Sequence, residues 1–202
     1  MSYSSLWTID KNWSGKEHKE YSNSWLFPPT IWNILFCKYI RPEERRRRFP
    51  DKDKEFETTY MGWTMTNGNE RWAKLNGRIN NSAEQVDRVL WELSMLSVFN
   101  AKDKEFVADC IERFIEVNFP DSEYKESEHI KERFREVAKD IRELPNSCKY
   151  FVFKGTSCDD NVERWFYQKR LSSWDEYVCE FTLIEDGRVV GFSDNLQVCK
   201  KD

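Results

Sequence analysis

Ile130, Phe134, Val137, Ile141 and Leu144 succeed one another at steps of 4, 3, 4 and 3. Only a helix returns to one face at that spacing, so the segment is predicted to be amphipathic and to bury one stripe. Two more stripes precede it: Phe106, Val107, Cys110, Ile111, Phe114 and Ile115, and before them Val86, Val89, Leu90, Leu93 and Leu96. Ser82 with Gln85 has the form of a capping box, and Asn100 is placed to cap the next helix. Phe119-Pro120-Asp121 and Leu144-Pro145-Asn146 are stop signals for the second and third helices. Three such helices with short connections are expected to pack antiparallel.

Beyond Pro145 the apolar residues alternate instead. Strands are expected at 149–154, 162–168, 177–184 and 188–193, with Glu185-Asp186-Gly187 turning the last two into a hairpin. Tyr177, Cys179, Phe181 and Leu183 would share one face of that sheet. The first eighty residues are less regular. They suggest strands at 5–9 and 20–27, a helix at 28–40 opened by Pro28-Pro29, and a charged connector at 41–54. A β-favouring run at 57–66 precedes a hairpin signal at Asn67-Gly68 and turns at Asn76-Gly77 and Asn80-Asn81. The expected fold is α+β, an antiparallel β-sheet packed against a layer of three to four α-helices. One domain over 1–202 is expected, with an aromatic-rich irregular part (1–80), a helical part (81–145) and an antiparallel β part (146–202).

Thirty-two basic and 36 acidic residues leave a net charge of −4, too small a field to gather nucleic acid or an anionic membrane. No apolar run approaches the roughly 20 residues of a membrane span, and no secretory pattern is seen after Met1, so a cytoplasmic location is expected. The six cysteines include no pair at zinc-knuckle spacing and are read as reduced structural thiols. Zinc, calcium, Walker and dinucleotide signatures are absent, as is the serine-hydrolase elbow; no metal and no cofactor is expected. His18 and His129 stand in charged surroundings and read as surface residues. With Cys158 they are the chain's stock of bases and nucleophile, and the reading leans away from an enzyme. Glu105, Asp109, Glu112 and Glu116 form an acidic stripe, expected to be the solvated side of an amphipathic helix.

Two features point toward binding. Arg45, Arg46, Arg47 and Arg48 are consecutive, although Glu43, Glu44, Asp51, Asp53, Glu55 and Glu57 flank them. Trp7, Trp13, Trp25 and Trp32 crowd the first forty residues, either as core or as interface anchors. Trp13 and Trp174 lie among turn-forming polar residues and are the rings expected to be exposed. A protein partner is the leading expectation, with the chain acting as an inhibitor that occupies a partner surface. Accessory proteins of phages and mobile elements, of the anti-defence type, have this general profile. A small nucleotide-like ligand in an aromatic and arginine pocket is the second reading, and nucleic acid held by Arg45–Arg48 the third. The binding surface is expected within residues 1–80, on a helical and β scaffold.

Overall fold

The computed structural model describes residues 3–11, 15–22, 27–49, 52–64, 68–95, 97–119, 125–156, 180–185 and 188–194. Strands β1 (Tyr3–Ile9) and β2 (Gly15–Ser22) come first, then helices α1 (Pro28–Tyr39) and α2 (Pro42–Arg45). A ribbon of β3 (Arg46–Phe49) and β4 (Lys52–Glu57) leads to α3 (Tyr60–Thr64), α4 (Gly68–Asn80) and α5 (Gln85–Ser94). Then come β5 (Val98–Asn100), a 3-10 turn, α6 (Lys104–Asn118), α7 (Lys125–Arg142), β6 (Tyr150–Thr156), β7 (Glu180–Glu185) and β8 (Arg188–Asp194). No helix among the described residues is long and apolar enough to cross a membrane.

Six strands form one sheet in the order β2-β1-β6-β5-β7-β8, so the first strand of the chain sits beside β6, about 145 residues later. Every neighbouring pair is antiparallel except β5 with β7, which run parallel. The architecture is the expected α+β arrangement of sheet and helices. Period-two alternation gives the central strands two buried faces. Leu6, Phe99, Phe151 and Phe153 join the hydrophobic cluster of the helices. Trp7, Ile9, Val98 and Val152 point the other way and are also buried, with Trp7 opposite Val152 and Val152 opposite Val98.

The helical cluster is tied to the sheet by rings. Phe27, just before α1, lies 4.6 Å from Phe134 on α7 and 4.8 Å from Phe153 on β6. Phe134 stacks on Phe114 of α6 at 6.1 Å. Tyr21 on β2 donates its hydroxyl to Asp140 of α7 at 2.8 Å, and burial pushes this phenol well above its ordinary range. The stripes of α6 and α7 are buried as their spacing predicts, except that Phe106 and Ile130 are only partly buried. The acidic side of α6 is solvent-exposed at Glu105, Asp109 and Glu116, as expected, and Arg142 of α7 adds an interhelical tie, reaching Glu105 at 3.5 Å and both Asp109 and Glu112 at 2.6 Å.

The first eighty residues depart most from their sequence reading. Strand β2 begins at Gly15, five residues before the expected start. The connector at 41–54 folds into α2 and the β3–β4 ribbon, whose register sets Arg46 across from Glu57 and Arg48 across from Glu55. Opposite charges at facing positions favour such a pairing. The 57–66 run contributes α3 rather than a strand, and Gly68 opens α4 instead of turning a hairpin. Asn76-Gly77 lies inside α4, and Ser82 closes it through its main-chain N–H to Ile79 O at 3.0 Å. The residue capping α5 is Glu84, so no Ser82–Gln85 box forms. Asn100 does cap, but it caps the 3-10 turn before α6, accepting from Lys102 N at 3.0 Å. The expected strand at 162–168 and the turn residues Asp186-Gly187 lie outside the described residues.

Helices α4 and α5 are joined by a polar chain. Trp91 donates to Asn76 Oδ1 at 2.7 Å, Asn80 donates to the same oxygen and to Glu92 Oε1, and Ser97 Oγ donates to Glu92 Oε2. Burial raises the Glu92 pKa above its ordinary 4.5, outweighing the pull of Ser97 and Asn80 in the other direction. A carboxyl whose folded pKa lies above its unfolded value holds its proton longer in the fold. Stability must then fall as pH rises from about 4.5 through the raised value. Glu92→Gln keeps the acceptor and removes the charge. Urea unfolding from pH 4 to 8 is expected to show the variant gaining on the parent across that window, and parallel profiles would refute it.

Candidate functional site

Helix α1 ends because Ile40 is extended and Arg41, which precedes Pro42, takes φ −63° and ψ 150°. Proline disfavours helical backbone at the residue before it. The chain therefore swings away at Arg41, and α2 sends the Glu44 side chain to the face of α4 that carries Lys74 and Arg78. Between the end of α1 and that face runs an open groove of about 730 Å³, lined chiefly by Lys38, Tyr39, Arg41, Lys74, Gly77 and Arg78. Ala73, Asn81 and Ser82 complete it.

The groove is electropositive, and two carboxylates organise it. Glu44 of α2 accepts from Arg78 at 2.8 and 3.2 Å and from Lys74. Those bonds, Arg78 first, hold its pKa down to about 2. Asp87 of α5 is buried; Lys38 Nζ and the Tyr39 hydroxyl both meet its Oδ2 at 2.6 Å. Burial, with the bond to Asp87, pushes the Tyr39 phenol up to about 12. Arg41 donates its main-chain N–H to Glu44 at 3.3 Å, but its guanidinium meets no acceptor among the described residues. Four cations thus face two carboxylates, and among the described residues Arg41 is uncommitted.

The walls are braced by side-chain contacts. Trp63 of α3 donates its indole N–H to Glu44 O at 3.0 Å, and Arg71 of α4 lies 5.3 Å over the Trp63 ring. Arg45 is held by two partners: it sits 5.9 Å over the Phe36 ring and pairs with Glu57 at 3.2 Å, and its side chain is only 13% exposed. The groove itself can hold anions. Tyr39 keeps its proton and Ser82 Oγ is buried, which leaves the cations as its main exposed charged groups.

Of the arginine run, Arg45 and Arg46 have partners within the fold, although Arg46 is exposed. Arg47 and Arg48 are placed in β3, opposite Phe56 and Glu55. Trp7 is buried and Trp32 is half-buried, donating to Ser94 Oγ at 3.0 Å, so both belong to the packing. Trp13, Trp25, Trp174 and Cys158 lie outside the described residues. His18 and His129 are exposed. Cys110 is buried and its thiol is pushed up to about 12 by desolvation, as suits a structural thiol. Among the described residues no group of acids, cysteines and histidines could hold a metal ion. Sequence reading missed the groove, whose one local signal is Lys74 and Arg78, one helical turn apart, visible only once 68–80 is read as a helix.

Gly77 carries a separate expectation. An alanine Cβ there would meet nothing within 4 Å, and Gly77 lies in the last turn of α4. Gly77→Ala is expected to stabilise the chain by about 0.5–1 kcal/mol, the usual helical difference between the two residues. A thermal melt checks it, and a lowered melting temperature would show that the glycine serves packing after all. No family model matches this chain, and no curated protein or solved structure matches it either.

Proposed function

We propose that this chain is a non-enzymatic binding protein that acts by occupying an acidic surface of a partner protein, in the manner of an anti-defence inhibitor from a phage or mobile element. The carrying observation is the groove: Lys38, Arg41, Lys74 and Arg78 gathered around two carboxylates, with Arg41 uncommitted among the described residues. Cationic surfaces favour acidic partners by speeding encounter and fixing register.

The groove favours a protein over the other occupants. Among the described residues no tryptophan lines it, and its one ring, Tyr39, is tied to Asp87, so nothing there is built to stack a nucleotide base. The interleaved carboxylates and the net charge of −4 both work against a continuous polyphosphate backbone. The test is affinity capture from host lysates with the parent and Arg41→Glu. A stoichiometric protein is expected with the parent, lost at high salt and reduced at least tenfold with the variant. Failure to recover one across several hosts, or equal recovery by Arg41→Glu, would overturn the reading.

A further inference from the structure

We infer that the groove takes a short, extended, acidic peptide segment of the partner, whose main chain runs along α4 over Gly77. This rests on the reading that the groove is the contact surface. Its own observation is the glycine. A helical glycine costs about 1 kcal/mol against alanine, and here neither close packing nor left-handed backbone requires one. What glycine does at this position is keep the groove floor bare, with only Ala73 one turn before it on the same face. A bare stretch of helix admits something as thin as a peptide main chain.

The charges fit the same occupant. Lys74 and Arg78 stand on one wall, Lys38 and Arg41 on the other. An extended segment sends successive side chains to opposite sides, so acidic residues along it would meet both walls. Glu44 and Asp87 do not exhaust the donors: Lys38 and Lys74 remain 38% and 46% exposed at their side chains, and an ammonium carries three N–H groups. From Lys74 to Asn81 the helix rises about 10 Å, the length of about three extended residues. The segment read by the groove is correspondingly short.

The probes are a labelled peptide alternating Glu and Ser, its Gln/Ser counterpart, and tripolyphosphate, each titrated against the parent, Gly77→Leu and Arg41→Glu. The Glu/Ser peptide is expected to bind the parent and the Gln/Ser peptide to fail. Gly77→Leu fills open space and removes a helical glycine, so it should keep the parent's circular dichroism and melt at or above the parent's temperature while weakening the peptide at least tenfold. Arg41→Glu should weaken it similarly. Equal binding to Gly77→Leu, or a preference for tripolyphosphate over the Glu/Ser peptide, would overturn the inference. If the peptide fails while partner capture still depends on Arg41, this inference falls and the proposed function stands. Partner capture indifferent to Arg41→Glu would instead remove the proposed function.

Discussion

Phe134→Ala is expected to destabilise the chain by about 3–5 kcal/mol, the usual cost of emptying a phenylalanine site in a close-packed core. The ring is completely buried on α7 and has neighbours from three directions. Phe27 lies 4.6 Å away, Phe114 stacks at 6.1 Å and Phe119 is tilted at 6.4 Å. Through Phe27, which touches Phe153, it links α6 and α7 to the sheet. Aromatic pairs of this kind add about 0.5–1.5 kcal/mol beyond their buried area, and the cavity left behind could not close without moving two helices. Urea unfolding monitored by circular dichroism measures the loss. A cost below about 1 kcal/mol would mean that the site collapses freely and that these rings do not form one packed core.

The same residue shows what the sequence made legible. Phe134 and its partners Ile130, Val137 and Ile141 announce a helix because their spacing and their burial have one cause, a single face turned inward. The same holds for α6 and for β1 and β6, where local pattern and tertiary environment agree. Helix α4 was hidden because they disagree. Its apolar face is reduced to Leu75 and Ile79, while Gly68, Asn69, Asn76, Gly77 and Asn80 all carry turn chemistry. The helix is held from outside, by Asn76 accepting from Trp91 and by Asn80 reaching Glu92. Nothing within 68–80 reveals those partners.

The groove was illegible for a related reason. Its cations come from two segments more than thirty residues apart, and only the packing of α1 near α4 brings them together. The arginine run stands out because its charge is dense in sequence, yet Arg45 spends its charge on Glu57 and Phe36. Charge density along a chain and charge offered to a partner are different quantities. The second depends on which carboxylates the fold delivers, and the fold delivers none to the Arg41 guanidinium among the described residues.

Trp7→Ala separates the same two roles for the aromatic residues and is expected to cost about 3–5 kcal/mol while leaving groove binding intact. Trp7 is 2% exposed on β1 and faces away from the helical cluster, beside Val152 on the neighbouring strand. Its indole N–H donates to Ser5 Oγ at 2.8 Å, so its one polar atom is satisfied without solvent. Truncation removes the ring from a face shared with Ile9, Val98 and Val152 and leaves the Ser5 hydroxyl without this donor. Arg41→Glu should behave in the opposite way, shifting stability by no more than about 0.5 kcal/mol as an exposed substitution while reducing capture of the proposed acidic partner at least tenfold. Unfolding curves and binding titrations on the two variants provide the comparison. A Trp7→Ala protein that unfolds at the parent's urea midpoint but loses its partner would place the contact surface on the outer face of the sheet, and the groove would then lose its claim.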